Sequence, residues 1–541
     1  MRILINSVFL TVLLICHCKC SKNHDDDHQH PYFATVPAKN PEEIKTEYWY
    51  ATARKILENK LEEKLNENEA KNIIFFIGDG MDFQTTAATR MYLGAEENVL
   101  SFEKFPHFGM SVTYCVDRKV ADSACSATAY LSGVKGNYGT IGVNANVKRY
   151  DCAAGLDEQS HTDSIVRWAQ LEGKSTGFVT TTKVTHATPA GVYSHTADRY
   201  WENDDEVKKG NCDPKVVDDI AKQLIYSPTG SNLNVIMGGG RKMFLDKSIT
   251  DEEGVPGLRT DGKNYIKEWQ TLQSDKNHRF EYVWNKTALN KIDYANTDYL
   301  MALFEADHCQ YNLDIKNNNL VEEPTLTEMV EAAIKILKKN DKGFFLFVEG
   351  GRIDTAHHDA FIKHALEETA EMARAVEKAI ELTNDSDTLI VVSADHGHTL
   401  TYNGYAERGN NIFGMAGISD EDGIPYTTLS YANGRGYYNT YNENGGRKDP
   451  SQENLEALDY KFPATVPLNV ESHGGGHVGV WAKGPHSHMF IGNYEQNAIP
   501  YLMAYAGKLG PYGTYNGSTI IQIISPILLL ISILLSIKNL F

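Results

Sequence analysis

Short apolar runs recur along the chain, and each one ends on polar chemistry. Residues 73–77 are an unbroken hydrophobic stretch that stops at Gly78-Asp79-Gly80, and 174–182 lead to His186-Ala187-Thr188-Pro189. The run 343–348 passes directly into Glu349-Gly350-Gly351-Arg352-Ile353-Asp354, and 388–393 deliver Ala394-Asp395-His396-Gly397-His398. Runs this short, rich in β-branched and aromatic residues and bounded by glycine, predict strands. Their continuous rather than alternating hydrophobicity predicts burial on both faces. Between them, 326–339 and 359–382 read as helices. The fold class that follows is α/β, a central, mostly parallel sheet flanked by helices on both faces. The charged segment 42–66 is a further predicted helix, and the Asn-, Gly- and Tyr-rich stretch 403–471 reads as an irregular insertion into the main fold.

In open parallel sheets, ligands bind beyond the carboxyl ends of the strands. Here those ends carry Asp79, Glu349, Asp354, Asp395 and His396. Taken singly, each acid reads as a helix cap or turn residue. Gathered at one sheet edge they would repel one another, and bound cations are the simplest way to keep them ionised. Asp354-x-x-x-His358 and Asp395-His396 offer the mixed N/O ligands that suit zinc, whereas an all-oxygen group suits magnesium. His473, in a glycine-rich loop, adds another imidazole. Ser123, in Val120-Ala-Asp-Ser-Ala-Cys-Ser-Ala, opens a predicted helix whose free N–H groups can receive a phosphate; a simple N-cap is the plainer reading. No Gly-x-Ser-x-Gly elbow is present, which leaves metal coordination as the route to an activated hydroxyl.

Composition fixes the setting. The chain has 541 residues with 52 Lys+Arg against 71 Asp+Glu, a net charge of −19, which argues against nucleic-acid binding. Residues 1–20 have the layout of a secretory signal peptide, with an N-terminal anchor as the alternative, and 21–41 are a polar leader. Small and polar residues over 507–518 precede an apolar tail, 519–541, in the pattern of a GPI-attachment signal; a single-pass helix is the alternative. Either way the globular part faces outside, and a GPI anchor would hold it at the outer face of the plasma membrane. Asn285, Asn384 and Asn516 head glycosylation sequons. Three of the eight cysteines fall in the presumed signal, leaving Cys115, Cys125, Cys152, Cys212 and Cys309.

The motifs Gly-Asp-Gly-Met (78–81), Asp-Ser-Ala-x-x-Ala-Thr-Ala (122–129), Thr-His-Ala-Thr-Pro-Ala-Gly (185–191), Glu-Gly-Gly-Arg-Ile-Asp (349–354), Ala-Asp-His (394–396) and the His473 loop resemble, in order, those of the alkaline phosphatases, most closely the membrane-anchored animal enzymes. The resemblance spans about 42–506. It implies hydrolysis of small phosphate monoesters with Ser123 as the nucleophile that becomes phosphoserine. Arg199 would grip the phosphoryl oxygens, oriented by Asp122. One zinc would be held by Asp354, His358 and His473, and a second by Asp79, Asp395, His396 and Ser123. Magnesium would take Asp79, Thr188 and Glu349, with His186 beside it. A calcium site is also implied, from the Phe304 carbonyl, Glu305, Glu323 and either Glu252 or Glu253. The family disulfide matches Cys152 and Cys212; Cys115 and Cys125 pairing, with Cys309 left free, is one arrangement of the rest. The family also implies a homodimer, with 403–471 as a crown at the interface and the N-terminal helix embracing the partner. Thr355-Ala356 and Gly476-His477 depart from the vertebrate pattern. The competing class is a catalytically silent surface glycoprotein acting as a docking receptor. Loss of a metal ligand would mark it, and every expected ligand type is present.

Overall fold

The computed structural model describes residues 40–513; the signal, nearly all of the leader and the C-terminal tail lie outside the described residues, as does Asn516. Ten strands form one sheet: β1 (Asn72–Gly78), β2 (His107–Val112), β3 (Ser175–Lys183), β4 (Val235–Gly239), β5 (Phe280–Val283), β6 (Tyr299–Leu303), β7 (Phe344–Gly350), β8 (Thr388–Ala394), β9 (Val478–Lys483) and β10 (Gly492–Glu495). Their order is β10-β2-β9-β8-β1-β7-β3-β4-β6-β5. Neighbours are parallel throughout except at β9, which runs against β2 and β8. The predicted strands at 73–77, 174–182, 343–348 and 388–393 are β1, β3, β7 and β8, four adjacent members of the sheet centre.

Period-two alternation divides β1 between two cores. Ile73, Phe75 and Ile77 pack on one face with Tyr130, Leu131 and Trp168, where α3 (Ser123–Ser132) lies. Ile74 and Phe76 pack on the other with Val330, Ile334, Met372 and Val376. These come from α4 (Leu326–Leu337), which a Thr325–Glu328 capping box starts, and from α6 (Ile362–Leu382). Burying each such aromatic or aliphatic side chain stabilises the fold by about 1.5–3 kcal/mol. The predicted helix over 359–382 is one helix, α6, which starts at Ile362, and a separate short helix precedes it. α5 (Arg352–His358) is divided from α6 at Ala360, whose φ of 62° is left-handed. No glycine marks this break in the sequence.

The stretch 403–471 is more regular than its composition implies. Leu400–Tyr402, Leu429–Gly434 and Ala464–Pro467 form a three-stranded sheet, and Met415–Ile418 pairs with Pro425–Thr427. Leu429, Tyr431, Phe413 and Phe462 bury a satellite core against Ala88 of α2 (Phe83–Tyr92) and Leu366 of α6. That burial is what orders strands of low intrinsic propensity. The N-terminal helix α1 (Thr46–Glu62) forms as predicted, though shorter, with no buried residue; Trp49, Tyr50, Ile56, Leu57 and Leu61 are exposed. No helix among the described residues is long and apolar enough to cross a membrane.

Candidate active site

The carboxyl ends of β1, β7 and β8 converge, and their loops bring the predicted acids together. Asp79 follows β1 directly; Gly80 next to it has φ +71°, and a Cβ there would lie 2.4 Å from His398 Nε2, so only glycine lets the loop pass. Gly80 N–H donates to Asp395 Oδ1 at 2.9 Å, tying the β1 and β8 ends. Glu349 is inside β7, and Asp354 and His358 stand one helical turn apart on α5. The short strand at 473–474 pairs with 397–398, which carries His473 across to the same place.

The predicted acids and imidazoles lie within a few ångströms of one another, and His396 is close both to Asp354 and His473 and to Asp79 and Asp395. His358 Nε2 and His473 Nε2 lie 3.4 and 3.3 Å from Asp354 Oδ1, and 3.1 Å from each other. His396 Nε2 lies 3.1 Å from Asp395 Oδ2 and 3.6 Å from Asp79 Oδ1. Thr188 Oγ1 donates to Asp79 Oδ2 at 3.4 Å, and Glu349 approaches Asp79 and His186 closely enough for one ion. Ser123, fully buried at the start of α3, has Oγ 3.3 Å from His396 Nε2 and 3.5 Å from Asp79 Oδ1. Asp122 caps that helix and also accepts from Arg199 Nη1 at 2.9 Å, while Arg199 Nη2 reaches His186 Nε2 at 3.3 Å.

Electrostatics show what this cluster is built to hold. Burial, then the neighbouring acids Asp354, Asp395 and Glu349, push Asp79 well above the ordinary carboxylate range. Burial pushes Asp395 up to about 6 and Glu349 up to about 7, even though Thr180 hydrogen-bonds the latter. Against the pull of burial, His358, His398 and His473 hold Asp354 well below its usual range. Burial and then the Arg199 charge keep His186 neutral. Buried Glu349 Oε1 has no hydrogen-bond partner. Anions stacked this closely in a dry site are the arrangement that divalent cations relieve. The residues present therefore fit such ions: imidazole and carboxylate donors for two, and an oxygen group of Asp79, Thr188 and Glu349 for a third.

Sequence reasoning missed His398 and Glu471. His398 Nε2 is 2.9 Å from Asp354 Oδ1 and its Nδ1 is 2.5 Å from Glu471 Oε2. Although burial pulls it down, Glu471 and Asp354 push this imidazole up to about 10. Its signal was the second histidine of Asp395-His396-Gly397-His398. The predicted calcium residues also gather: Gln310 bridges Glu323 Oε1 at 2.7 Å and Glu305 Oε1 at 3.3 Å, and burial beside Glu305 pushes Glu323 up to about 9. Asp251 and Glu253 are engaged by the Arg241 guanidinium, and Glu252 lies 3.8 Å from it. Disulfides join Cys152 to Cys212 and Cys115 to Cys125, and Cys309 is a buried free thiol. Asn384 is exposed and Asn285 half-buried at the start of a short helix.

Fold and comparisons together define a hydrolase of phosphate monoesters. The chain belongs to the alkaline phosphatase family, whose pattern (described as "Alkaline phosphatase") matches residues 70–509. It is 44% identical over 489 residues to the membrane-bound alkaline phosphatase of Bombyx mori, covering 88% of each chain. It is 44% identical over 492 residues to the human tissue-nonspecific isozyme, covering 88% of this chain and 90% of that one. Among solved structures, the alkaline phosphatase of the Antarctic bacterium TAB5 matches with a TM-score of 0.56 at 22% identity, over 82% of this chain and 99% of that one. The Thermus thermophilus enzyme matches with a TM-score of 0.57 at 20% identity, over 82% and 92%. These two share the fold.

Proposed function

We propose that this phosphatase works through a covalent phosphoserine at Ser123, in a site that holds two zinc ions and one magnesium. The observation that carries the reading is Ser123 Oγ, at a helix start, between Asp79 and His396 with Arg199 fixed alongside. Zinc would be held by Asp354, His358 and His473 and by Asp79, Asp395 and His396, magnesium by Asp79, Thr188 and Glu349. When bound, these ions supply positive charge that neutralises the acids and the developing charge on phosphorus-bound oxygens. The remaining work belongs to the chain. Ser123 Oγ attacks phosphorus and releases its proton to solvent water as the O–P bond to the substrate breaks and the leaving ester oxygen takes up a proton from that water. A water molecule then cleaves the phosphoserine, releasing inorganic phosphate and restoring the hydroxyl. Asp122 fixes the Arg199 guanidinium so that its remaining N–H groups face the phosphoryl oxygens, and neutral His186 steadies it from the other side.

Arg199→Ala is accordingly expected to weaken inhibition by inorganic phosphate about 10- to 100-fold. The direct test of the whole reading is metal analysis of purified protein alongside turnover of a chromogenic phosphate ester across pH. Zinc and magnesium with turnover that is greatest at alkaline pH support it; turnover in protein free of both metals overturns it.

The protein would face outside the cell as a glycoprotein modified at Asn285 and Asn384, held by a GPI anchor. A phosphatidylinositol-specific phospholipase C is expected to release it from membranes, and retention would instead favour a membrane-spanning tail. The exposed apolar residues of α1, Trp49, Ile56, Leu57 and Leu61, support a homodimer in which this helix lies on the second copy. Calcium at Phe304, Glu305 and Glu323 would neutralise the acid pair.

A further inference from the structure

The loop closed by Cys115 and Cys125 carries Asp122 and Ser123 and touches Arg199 and His473. Both cysteines are buried and form a small apolar cluster with Ala121, while residues 116–119 at the loop tip are exposed. Cys125 is in the first turn of α3, two residues beyond Ser123, and its N–H donates to Asp122 Oδ1 at 3.2 Å. From the other end of the bridge, Cys115 Sγ lies 3.7 Å from the same oxygen. Gly139 N–H completes the grip on Asp122 Oδ1 at 3.1 Å, leaving Oδ2 for Arg199. One residue earlier in the loop, the Ala121 carbonyl accepts from His473 Nδ1 at 2.9 Å. That bond leaves Nε2 as the atom His473 turns toward Asp354. Val120 packs against Gly475 beside it, 3.2 Å from where a Cβ would stand.

We propose that the Cys115–Cys125 disulfide is a positioning element: by closing this loop it holds Asp122 against Arg199 and the Ala121 carbonyl against His473, in register with Ser123. The inference rests on the proposed function and deepens it. An open loop with an exposed tip would sample many conformations, and the bridge removes that freedom at the point where the loop enters α3. A displacement of an ångström at such a site costs on the order of 10²-fold in rate. The cluster of Cys115, Asp122 and Cys125 is not a cation site, because the bridge has used both thiols.

The test compares the wild-type holoenzyme with Cys115→Ala/Cys125→Ala, scoring thermal unfolding, kcat and KM, inhibition by inorganic phosphate, and zinc retained on dialysis. A bridge that only stabilised the fold would lower the unfolding midpoint and leave the rest alone. The expected result is inhibition by phosphate weakened about tenfold and kcat/KM reduced on the order of 10²-fold, with zinc lost faster from folded protein. A folded variant with unchanged phosphate inhibition and zinc retention overturns the proposal. Should the variant not fold, native enzyme is treated with a phosphine, which reduces the bridge to two thiols as water supplies the oxygen of the phosphine oxide. Alkylation and mass spectrometry then score the 115–125 pair: phosphate affinity falling with the fraction reduced supports the proposal, and constant affinity at full reduction overturns it. Wild-type protein that neither binds phosphate nor hydrolyses its esters would refute the functional reading itself.

Discussion

Ser123→Ala is expected to fold, keep its metals and lose turnover of phosphate monoesters by about 10⁴-fold or more. The substitution removes one buried oxygen from a position where Ala124 and Ala127 already pack, so α3 and the Asp122 cap survive. Every acid and imidazole of the cluster stays in place, and Arg199 keeps its bond to Asp122. What goes is the atom that would attack phosphorus. Water acting directly would be left as the nucleophile, with only the charge stabilisation of the site to assist it. The discriminating measurement is rapid quench with a labelled phosphate ester: the wild type should accumulate label on Ser123 at acidic pH, and the variant none. A variant that retains turnover within tenfold of wild type would remove the covalent step.

The centre of the sheet was legible because its physics is local. Continuous apolar runs announce strands buried on both faces, and the residue after each run is at the sheet edge, so Asp79, Asp395 and His396 could be read directly from the sequence. Asp354 and His358 were legible for the same reason, one turn apart on a helix. His398 and Glu471 were not, because their role depends on strand 397–398 pairing with 473–474, a contact made by tertiary folding alone. The crown strands were hidden by composition: Leu429 and Tyr431 supply the alternation, but Asn, Gly and Ser around them read as loop. The break after α5 at Ala360 carried no signal, since glycine, and less often asparagine or aspartate, is what marks a left-handed position.

Stripping the metals is expected to abolish activity, with zinc plus magnesium restoring it, and to leave a folded protein that loses stability relative to the loaded enzyme as pH rises. The sign follows from the ion-free site. Unfolded, Asp395 and Glu349 titrate near 3.8 and 4.5; folded without cations, burial raises them to about 6 and about 7. Through that interval the folded chain binds more protons than the unfolded one, so stability is present at low pH and lost as pH climbs through the folded values. The two groups together amount to about 6 kcal/mol lost by neutral pH. Asp354 lies outside the window, because its histidine partners keep it ionised. Buried neutral His186, His357 and His396 act in the opposite direction below pH 6.5, but they do so with or without the ions. The difference between loaded and stripped protein isolates the carboxylates, since cations hold them ionised and abolish the slope. Unfolding midpoints measured from pH 5 to 8 should therefore diverge, the loaded enzyme gaining on the stripped one. Parallel midpoints, or turnover indifferent to chelation, would mean that the acids at the sheet edge are not gathered around cations.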